Sequence, residues 1–369
     1  MQLIDGSKII TEACVRAGAD VYVGYPITPS NWFYAYAQKR FPLFLAAPDE
    51  ISTLQWMSGF SAAGRMPVTA TSFPGLALMV ESLNMAYMME LPMLIVVTQR
   101  LGPSTGSATT GAQGDLLLLR GAISGGYPVP VFCPSGFEDC WNLAYEGIKT
   151  AIRYRTPVIL LTSKEMVMTH RSFDLSGLPE IEKVERPKAE PGRPYQPYRA
   201  GEDGVPPFVP LGDDVRQVRL NASTHGKLGL IQKESPEAMA NTRRLQEKLE
   251  QNIPAFTFYG LDEETGAEEL IISYGISADA ARDAVAALRS QGKKVSLLIV
   301  KTLLPFPPAI LDILERYEKQ VFVEENLPGL LRELVYGQAR RKNTRSVNKI
   351  GSMITPSEII NQTGGDAFP

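Results

Sequence analysis

The chain has 369 residues, and its 37 lysines and arginines nearly balance its 40 aspartates and glutamates, which gives a formal net charge of −3. This balance argues against nucleic acid or an anionic membrane as the main partner, and no stretch approaches the roughly 18 consecutive apolar residues that a membrane span requires. Two histidines and three scattered cysteines disfavour a histidine zinc site, a disulfide scaffold or a four-thiolate cluster, so we predict reduced core thiols and no metal ligands.

The first 165 residues alternate helical periodicity with short, β-rich apolar runs. The sequence passes from residues 1–5 directly into a predicted helix over 6–17, and it does not begin with a positively charged stretch followed by an apolar one, as a secretory leader would. We therefore expect a cytoplasmic protein. Alternation of this kind predicts an α/β fold with a parallel sheet covered by helices on both faces. The predicted strands are 21–23, 43–47, 68–71, 93–98, 129–133 and 158–162, and the main helices between them are 50–64, 75–89 and 137–153.

The character of the sequence changes after about residue 171. Residues 187–210 contain seven prolines and few aliphatic side chains, which predicts an extended connector between two domains. A polar helix follows, with Ser235 as N-cap, Pro236 in the first position and a charged run through Lys248. The last hundred residues predict a second α/β unit, with strands at 269–274, 294–301 and 320–324 and helices at 277–291 and 308–317. We therefore divide the chain into an N-terminal domain (1–175), a connector with the polar helix (176–255) and a C-terminal domain (256–369).

A first candidate site follows the strand at 21–23. Here Thr28 lies between Pro26 and Pro29, and the two prolines fix the backbone, so the threonine hydroxyl is held at low entropic cost. Cofactor sites in parallel sheets lie at the carboxyl ends of the strands, where this segment falls. The simpler interpretation is a strand-to-helix turn in which Ser30 caps the next helix, and both interpretations can hold together.

A second candidate site ends the next predicted strand, where Pro48, Asp49 and Glu50 lead into a mostly apolar helix. Acidic residues in the first turn of a helix are favoured by the helix dipole, so dipole compensation is the simplest explanation for both carboxylates. A carboxyl group beside apolar neighbours at a strand end can instead hold and donate a proton, as acid–base catalysis requires. The pattern alone favours dipole compensation.

Arg100 follows the apolar strand predicted at 93–98 and precedes a loop rich in glycine and hydroxyl groups. It is placed either to bind a carboxylate through two parallel hydrogen bonds or to extend to the surface, and the local sequence does not separate these alternatives. Gly121, Gly125 and Gly126 lack the spacing of a Walker or a dinucleotide-binding loop, and no Asp-Gly…Asn pattern for Mg²⁺-diphosphate is present. We therefore expect no phosphate site in this chain.

Together these loops resemble the 2-oxoacid:ferredoxin oxidoreductase family, in the order found in the alpha subunits of 2-oxoglutarate synthases. The strongest segment is GYPITPS at 24–30, and the similarity covers nearly the whole chain and both predicted domains. The other segments that carry it are PDE (48–50), TATSFPG (69–75), TQRLGPSTG (98–106), QGDL (113–116), STHGKLG (223–229), VKTLLPFP (300–307), EENLPGLLREL (324–334) and ITPSEII (354–360).

The resemblance implies a pyrimidine-type thiamine-diphosphate-binding domain followed by a smaller, transketolase C-terminal-like α/β domain. Glu50 matches the family glutamate that hydrogen-bonds N1′ of the aminopyrimidine ring and so favours removal of the C2 proton. Thr28 and Arg100 match residues that bind the carboxylate and carbonyl end of a 2-oxoacid. The residues that the resemblance places against the cofactor, besides Glu50, are Pro26, Ile27 and Phe73.

The resemblance also implies a division of labour among polypeptides. A separate beta subunit would hold the diphosphate, Mg²⁺ and at least one iron–sulfur cluster, and the gamma-type domain would be a further polypeptide. The implied reaction is the oxidative decarboxylation of a 2-oxoacid, which passes two electrons to ferredoxin and the acyl group to coenzyme A. That division would explain why neither a phosphate loop nor a cysteine cluster is found in this sequence.

One segment departs from the family pattern, because many relatives carry a lysine and a glutamate after PSTG where this chain has uncharged residues at 108–113. A missing cation there weakens the case for a dicarboxylate such as 2-oxoglutarate and keeps an aromatic or branched 2-oxoacid open. Two other classes of function also stay open: half of a non-oxidative thiamine-dependent decarboxylase or transketolase-like enzyme, and a non-catalytic assembly paralogue. Retention of Thr28, Glu50 and Arg100 together counts against the last class.

Overall fold

The structure is a computed structural model that describes residues 1–187, 189, 195–339 and 341–363. Its strands are β1 (Gln2–Ile4), β2 (Val21–Gly24), β3 (Leu43–Ala46), β4 (Pro67–Thr71), β5 (Met93–Gln99), β6 (Val131–Phe132), β7 (Pro157–Ser163), β8 (Arg171–Phe173), β9 (Tyr259–Asp262), β10 (Glu269–Tyr274), β11 (Val295–Val300), β12 (Thr302–Leu304), β13 (Lys319–Glu324) and β14 (Thr344–Asn348). Its helices are α1 (Gly6–Arg16), α2 (Asn31–Arg40), α3 (Glu50–Ala62), α4 (Phe73–Met88), α5 (Leu116–Arg120), α6 (Phe137–Tyr154), α7 (Lys164–Met168), α8 (Pro236–Glu250), α9 (Ser277–Ser290), α10 (Pro308–Glu315), α11 (Leu330–Tyr336) and α12 (Pro356–Ile360).

Six parallel strands form most of the larger sheet, whose order is β12-β6-β7-β5-β4-β2-β3. All the ladders that join β6, β7, β5, β4, β2 and β3 are parallel. Strands β5 and β7 are buried at every position, as expected for strands of a parallel sheet with both faces covered. The predicted α/β class with a parallel sheet is therefore confirmed.

Predicted and observed elements differ mainly at their ends. The helix predicted at 75–89 begins earlier, at Phe73, because Pro74 is well tolerated in the first turn of a helix. The strand predicted at 129–133 is only Val131–Phe132. Beyond it, the N–H of Cys133 donates to the carbonyl oxygen of Lys301, in the C-terminal part of the chain, at 2.8 Å.

The seventh strand of the larger sheet also comes from the C-terminal part of the chain. Strand β12 lies in the VKTLLPFP segment and pairs antiparallel with β6, with Thr302 opposite Phe132 and Leu304 opposite Val131. This edge strand differs from the prediction, which built the first sheet from N-terminal residues alone. It covers an edge of β6 that would otherwise present unpaired backbone groups.

The chain from Tyr259 onward contains a second sheet of five strands, in the order β14-β13-β10-β11-β9. The ladders among β14, β13, β10 and β11 are parallel, and β9 pairs antiparallel at the other edge. Helix α9 packs against this sheet and contacts α12. The predicted second α/β unit is thus confirmed, while β9, β14, α11 and α12 were not predicted.

The predicted connector, 187–210, contains no helix or strand among its described residues, and its prolines at 191 and 194 lie outside them. Its described part packs closely on the rest of the chain, with Tyr198 and Phe208 buried. Arg155 holds it through a hydrogen bond from Nη1 to the carbonyl oxygen of Pro207 at 2.8 Å. The described residues of this segment are therefore irregular but packed against the N-terminal sheet region, and its role as a connector between two domains stays a prediction.

Helix α8 begins as predicted, with Ser235 Oγ accepting the N–H of Ala238 at 3.1 Å. Its charged run is partly buried, because Arg244 and Lys248 both pair with the carboxylate of Glu90. The Glu90 side chain is fully buried, and Lys248 Nζ lies 2.7 Å from its Oε2. Burial would raise the pKa of Glu90, but the charges of Lys248 and Arg244 lower it to about 2. This ion cluster fastens α8 to the end of α4.

Candidate active site at the strand ends

Four adjacent strands of the larger sheet, in the order β5-β4-β2-β3, end at the same edge. Each strand is parallel to its neighbour, so their carboxyl ends open into loops that lie side by side. These loops carry Arg100, Phe73, Thr28 and Glu50, respectively. The fold therefore brings together the loops that the sequence singled out, although they are far apart along the chain.

Ser30 ties three of these loops together, and the prediction that its side chain caps the next helix is wrong. It occupies the N-cap position of α2 but makes no capping hydrogen bond. Its Oγ donates instead to the carbonyl oxygen of Thr71 at 2.8 Å and lies 2.9 Å from Thr98 Oγ1. A buried hydroxyl group needs partners, and the ends of β4 and β5 supply them.

Glu50 begins helix α3, but a neighbour performs the capping. Asp49 is the N-cap, and its Oδ1 accepts the N–H of Ser52 at 2.6 Å. Glu50 is 7% exposed, and none of the hydrogen bonds of the described residues uses its carboxylate. A Cβ atom built on Gly75, at the start of α4, would lie 2.7 Å from Glu50 Oε1. The carboxylate is thus held closely in place by packing and is free to bond a ligand.

Arg100 is 6% exposed and does not extend to the surface, so that alternative is wrong. Its Nη1 donates to the carbonyl oxygen of Thr28 at 2.7 Å, which joins the two predicted substrate residues. Its Nε is buried without a hydrogen-bond partner. A guanidinium with unused donors in a buried position retains the capacity to bind a carboxylate.

The other predicted site residues lie along the same edge. Thr28 Oγ1 accepts a hydrogen bond from Asn31 Nδ2 at 2.9 Å. Thr28, Ile27 and Phe73 are half-buried and Pro26 is exposed, so all four are accessible to a ligand. Contact of Pro26, Ile27 and Phe73 with a cofactor stays a prediction.

Asp115 belongs to the QGDL segment, but the sequence pattern assigned it no individual role. It is 5% exposed, its N–H donates to Gln99 Oε1 at 3.3 Å, and its Oδ2 is buried without a hydrogen-bond partner. Burial raises the pKa of Asp115 to about 7, against the opposing effect of the positive charge of Arg100. A buried acid therefore lies behind the predicted substrate arginine.

Gln113, in the same segment, joins the two halves of the chain. Its Nε2 donates to the carbonyl oxygen of Tyr274 at 2.8 Å, and its backbone N–H donates to the carbonyl oxygen of Glu325 at 2.8 Å. Its Oε1 accepts the hydroxyl of Ser277 and the N–H of Glu325, each at 2.7 Å. Asn326 Nδ2 donates to its carbonyl oxygen at 3.1 Å. The QGDL and EENL segments are thus adjacent, and Gln113 links the part of the chain that forms the larger sheet to the part that forms the second sheet.

The thiols lie in the core, away from this edge. Cys14, Cys133 and Cys140 are buried and free, and burial raises the pKa of Cys14 to about 12. Among the described residues, no group of three or more His, Cys, Asp or Glu side chains is gathered in a way that could hold a metal ion. In the same part of the chain, no helix is long and apolar enough to cross a membrane.

Comparison with known proteins places both halves of the chain in one group. The sequence matches the family described as pyruvate flavodoxin/ferredoxin oxidoreductase, thiamine diP-bdg, over residues 12–244. Residues 267–368 match pyruvate:ferredoxin oxidoreductase core domain II. The chain is 30% identical over 374 residues to the 2-oxoglutarate synthase subunit KorA of Archaeoglobus fulgidus, which covers 99% of each chain.

Two solved structures extend this comparison to the fold. The 2-oxoglutarate:ferredoxin oxidoreductase of Magnetococcus marinus, with 2-oxoglutarate, coenzyme A and succinyl-CoA bound, is similar with a TM-score of 0.91 and 27% identity. The match covers 98% of this chain and 64% of that chain. A split-gene transketolase, an inactive β4 tetramer, has a TM-score of 0.52 at 14% identity and shares the fold alone, over 98% of this chain and 94% of that one.

Proposed function

The chain belongs to the pyruvate flavodoxin/ferredoxin oxidoreductase family, and from that premise we propose that it is the alpha-type subunit of a 2-oxoacid:ferredoxin oxidoreductase. The proposed reaction converts a 2-oxoacid and coenzyme A to an acyl-CoA and carbon dioxide, with two electrons passed to ferredoxin. One observation carries the proposal: a buried carboxylate, Glu50, and a buried guanidinium, Arg100, stand in loops at the same sheet edge with bonding capacity unused. The ligands named for the Magnetococcus marinus enzyme support the same reaction class.

The residues at this edge fit the aminopyrimidine half of thiamine diphosphate. The Glu50 carboxylate makes no hydrogen bond within the described chain, and the close approach of Gly75 holds it in place. Pro26, Ile27 and Phe73 offer accessible apolar surface for a flat ring. When bound, thiamine diphosphate supplies the carbanion chemistry that decarboxylation requires. We assign to Glu50 the holding of a proton at the ring nitrogen, and to the other side chains the orientation of the ring.

Thr28 and Arg100 are proposed to bind the reacting end of the 2-oxoacid. Arg100 is buried and fixed by its bond to the Thr28 backbone, so its orientation costs little entropy when a carboxylate arrives. The Thr28 hydroxyl is the neighbouring donor. Residues 108–113 provide no cation for a second carboxylate, so aromatic and branched 2-oxoacids stand beside 2-oxoglutarate as candidate substrates.

The proposed assembly leaves several tasks to other polypeptides. A beta subunit would carry the diphosphate, Mg²⁺ and an iron–sulfur cluster, and a gamma-type subunit, ferredoxin and coenzyme A would complete the system in the cytoplasm. Within this chain we propose a pyrimidine-binding domain over 1–175, a connector with the polar helix over 176–255, and a C-terminal domain over 256–369. The two family matches, which end at 244 and begin at 267, support a boundary near 255.

Co-expression with the beta subunit tests the proposed function. The complex is expected to be brown and to reduce ferredoxin in the presence of coenzyme A and at least one of pyruvate, 2-oxoglutarate, a branched 2-oxoacid or an aromatic 2-oxoacid. The chain purified alone is expected to be colourless and inactive. Cluster absorbance in the single chain, or a cluster-loaded complex inert toward the whole panel, would contradict the proposal.

Arg100→Lys is expected to impair substrate use more than cofactor binding. Lysine keeps the charge but loses the planar fork that meets a carboxylate through two parallel bonds, so kcat/KM should fall by the equivalent of about 1–3 kcal/mol. Arg120→Lys, at an exposed position of α5, is the matched control. Steady-state kinetics and titration with thiamine diphosphate separate the two effects. Weakened cofactor binding with unchanged substrate kinetics would show that Arg100 serves the cofactor.

Gly75→Ala is expected to lower turnover and to destabilise the chain by about 1–3 kcal/mol, the usual cost of overpacking a buried site. The added methyl group would clash with Thr71 Oγ1 and with Glu50 Oε1, so both buried side chains must shift and the carboxylate is displaced. This cost outweighs the roughly 1 kcal/mol by which a helix favours alanine over glycine. Gly59→Ala, in α3, is the matched control, because a Cβ there has no heavy atom within 4 Å. Turnover and thermal unfolding of both variants check this. Equal turnover of the two variants would mean that the position of Glu50 is not critical.

A further inference from the structure

The carboxyl group of Asp115 and the guanidinium of Arg100 are both buried, and each has bonding capacity that no protein group uses. Asp115 lies at the N-cap position of α5 but makes no capping hydrogen bond. Its backbone N–H is bonded to Gln99 Oε1, which ties it to the residue directly before Arg100. Asp115 Oδ2 and Arg100 Nε are both buried without hydrogen-bond partners, and no direct ion pair joins the two side chains within the described chain.

Few charges surround this pair. Arg100 is the one charged group of the described residues that acts on Asp115, from the end of β5. The charge of Asp115 also acts on the phenol of Tyr274, at the end of β10, whose pKa is raised well above the ordinary value mainly by burial. Tyr274 therefore stays neutral at ordinary pH. A change in charge at Asp115 is consequently felt first by Arg100.

We propose that Asp115 is a positioning residue that acts through Arg100, and that it takes up a proton when the carboxylate of a 2-oxoacid binds to the guanidinium. This inference rests on the proposed function, because it requires a carboxylate substrate at Arg100. Above pH 7 and without substrate, the ionised acid balances the guanidinium. With substrate bound, the Asp115 carboxylate and the substrate carboxylate would share the single buried cation of Arg100. The Asp115 carboxylate, which is already poorly solvated, therefore takes up a proton.

The proton linkage sets the direction of the pH dependence. Burial raises the pKa of Asp115 to about 7 in the free site, and a bound anion raises it further. Well below pH 7 the acid is neutral before and after binding, so affinity for the 2-oxoacid is highest and nearly constant. Above pH 7 binding requires proton uptake, so affinity falls by up to about tenfold per pH unit.

The pH profile of KM in the assembled complex tests this. For an accepted 2-oxoacid, wild-type KM is expected to rise by no more than about twofold from pH 6 to 7 and by up to about tenfold per pH unit above 7. Asp115→Asn cannot ionise, so the rise in KM should disappear. A merely structural role would change KM or kcat by the same factor at every pH. Asp115→Glu keeps an acid at this position and should retain a rise.

Every outcome of this experiment either supports or overturns the role proposed for Asp115. A wild-type KM that stays constant from pH 6 to 9 overturns the inference, whether or not the variants fold. Parallel KM profiles for the wild type and Asp115→Asn overturn it as well. A complex that oxidises no 2-oxoacid at any pH overturns the proposed function itself. Turnover with a pH-independent KM overturns only the role of Asp115.

Discussion

Replacing Glu50 by glutamine is expected to leave the chain folded and to lower turnover of the assembled enzyme by about 10²–10⁴-fold, the range of a lost general acid or base. Glutamine keeps the size and the hydrogen-bonding capacity of the side chain but cannot exchange a proton with a ring nitrogen. The fold should tolerate the change, since the Glu50 carboxylate makes no hydrogen bond within the described chain and Asp49 caps the helix. Turnover with the accepted 2-oxoacid is the first measurement.

Hydrogen–deuterium exchange at C2 of thiamine diphosphate in the assembled complex reports the affected step directly. Glu81→Gln, at an exposed position of α4, is the matched control and should exchange at the wild-type rate. If Glu50→Gln also exchanged at that rate, Glu50 would not be the activating acid, whatever the loss of turnover. A slow exchange together with normal cofactor affinity would assign the loss to proton transfer.

Replacing Glu90 by glutamine is expected to destabilise the full chain by about 3–5 kcal/mol, the typical cost of removing one partner from a buried ion pair. The substitution leaves the ammonium of Lys248, almost completely buried, and the guanidinium of Arg244 without their anion. Glutamine preserves the side-chain size, and it must adopt the same left-handed backbone conformation, φ 54°, as the glutamate that it replaces. Backbone strain is therefore unchanged, and the loss reports the charge.

Chemical denaturation of wild type and variant measures this loss. Glu247→Gln, at an exposed position of α8, is the control and should change the free energy of unfolding by no more than about 0.5 kcal/mol. Adding Lys248→Met to Glu90→Gln should recover part of the loss, because the buried unpaired cation is removed. The charges of Lys248 and Arg244 lower the pKa of Glu90 to about 2, while burial lowers the pKa of Lys248 to about 8. The contribution of Glu90 should therefore be complete from about pH 5 to about pH 7 and disappear as the pH falls toward 2. A loss below 1 kcal/mol at pH 7 would contradict this account.

Much of the fold could be predicted because its strongest signals are local. The strands that became β5 and β7 read as short, continuous apolar runs, and both are buried at every position. The site loops could be predicted for the same reason, since parallel strands bring their carboxyl ends to one edge. That Thr28 and Arg100 would be bonded to each other follows from this geometry, once their strands are known to be close in the sheet.

The features that escaped prediction depend on contacts between distant segments. Ser30 has the sequence of a helix cap, but its partners are the carbonyl oxygen of Thr71 and the hydroxyl of Thr98, which no local pattern reveals. The charged run of α8 reads as a solvated face, and only the fold shows that Lys248 meets Glu90 across 158 positions. Tertiary partners decide both cases, and they override local propensity.

Because β12 pairs with β6, the larger sheet cannot be completed until late in the synthesis of the chain. On the ribosome, Phe132 emerges about 170 residues before its partner Thr302. At roughly 5–20 residues per second, this delay is on the order of ten to thirty seconds. During that interval the nascent N-terminal half exposes the backbone of β6 to other chains. Translation that stalls in the proline-rich segment would lengthen the exposure, so truncated products of this gene should be more prone to aggregate than the complete chain.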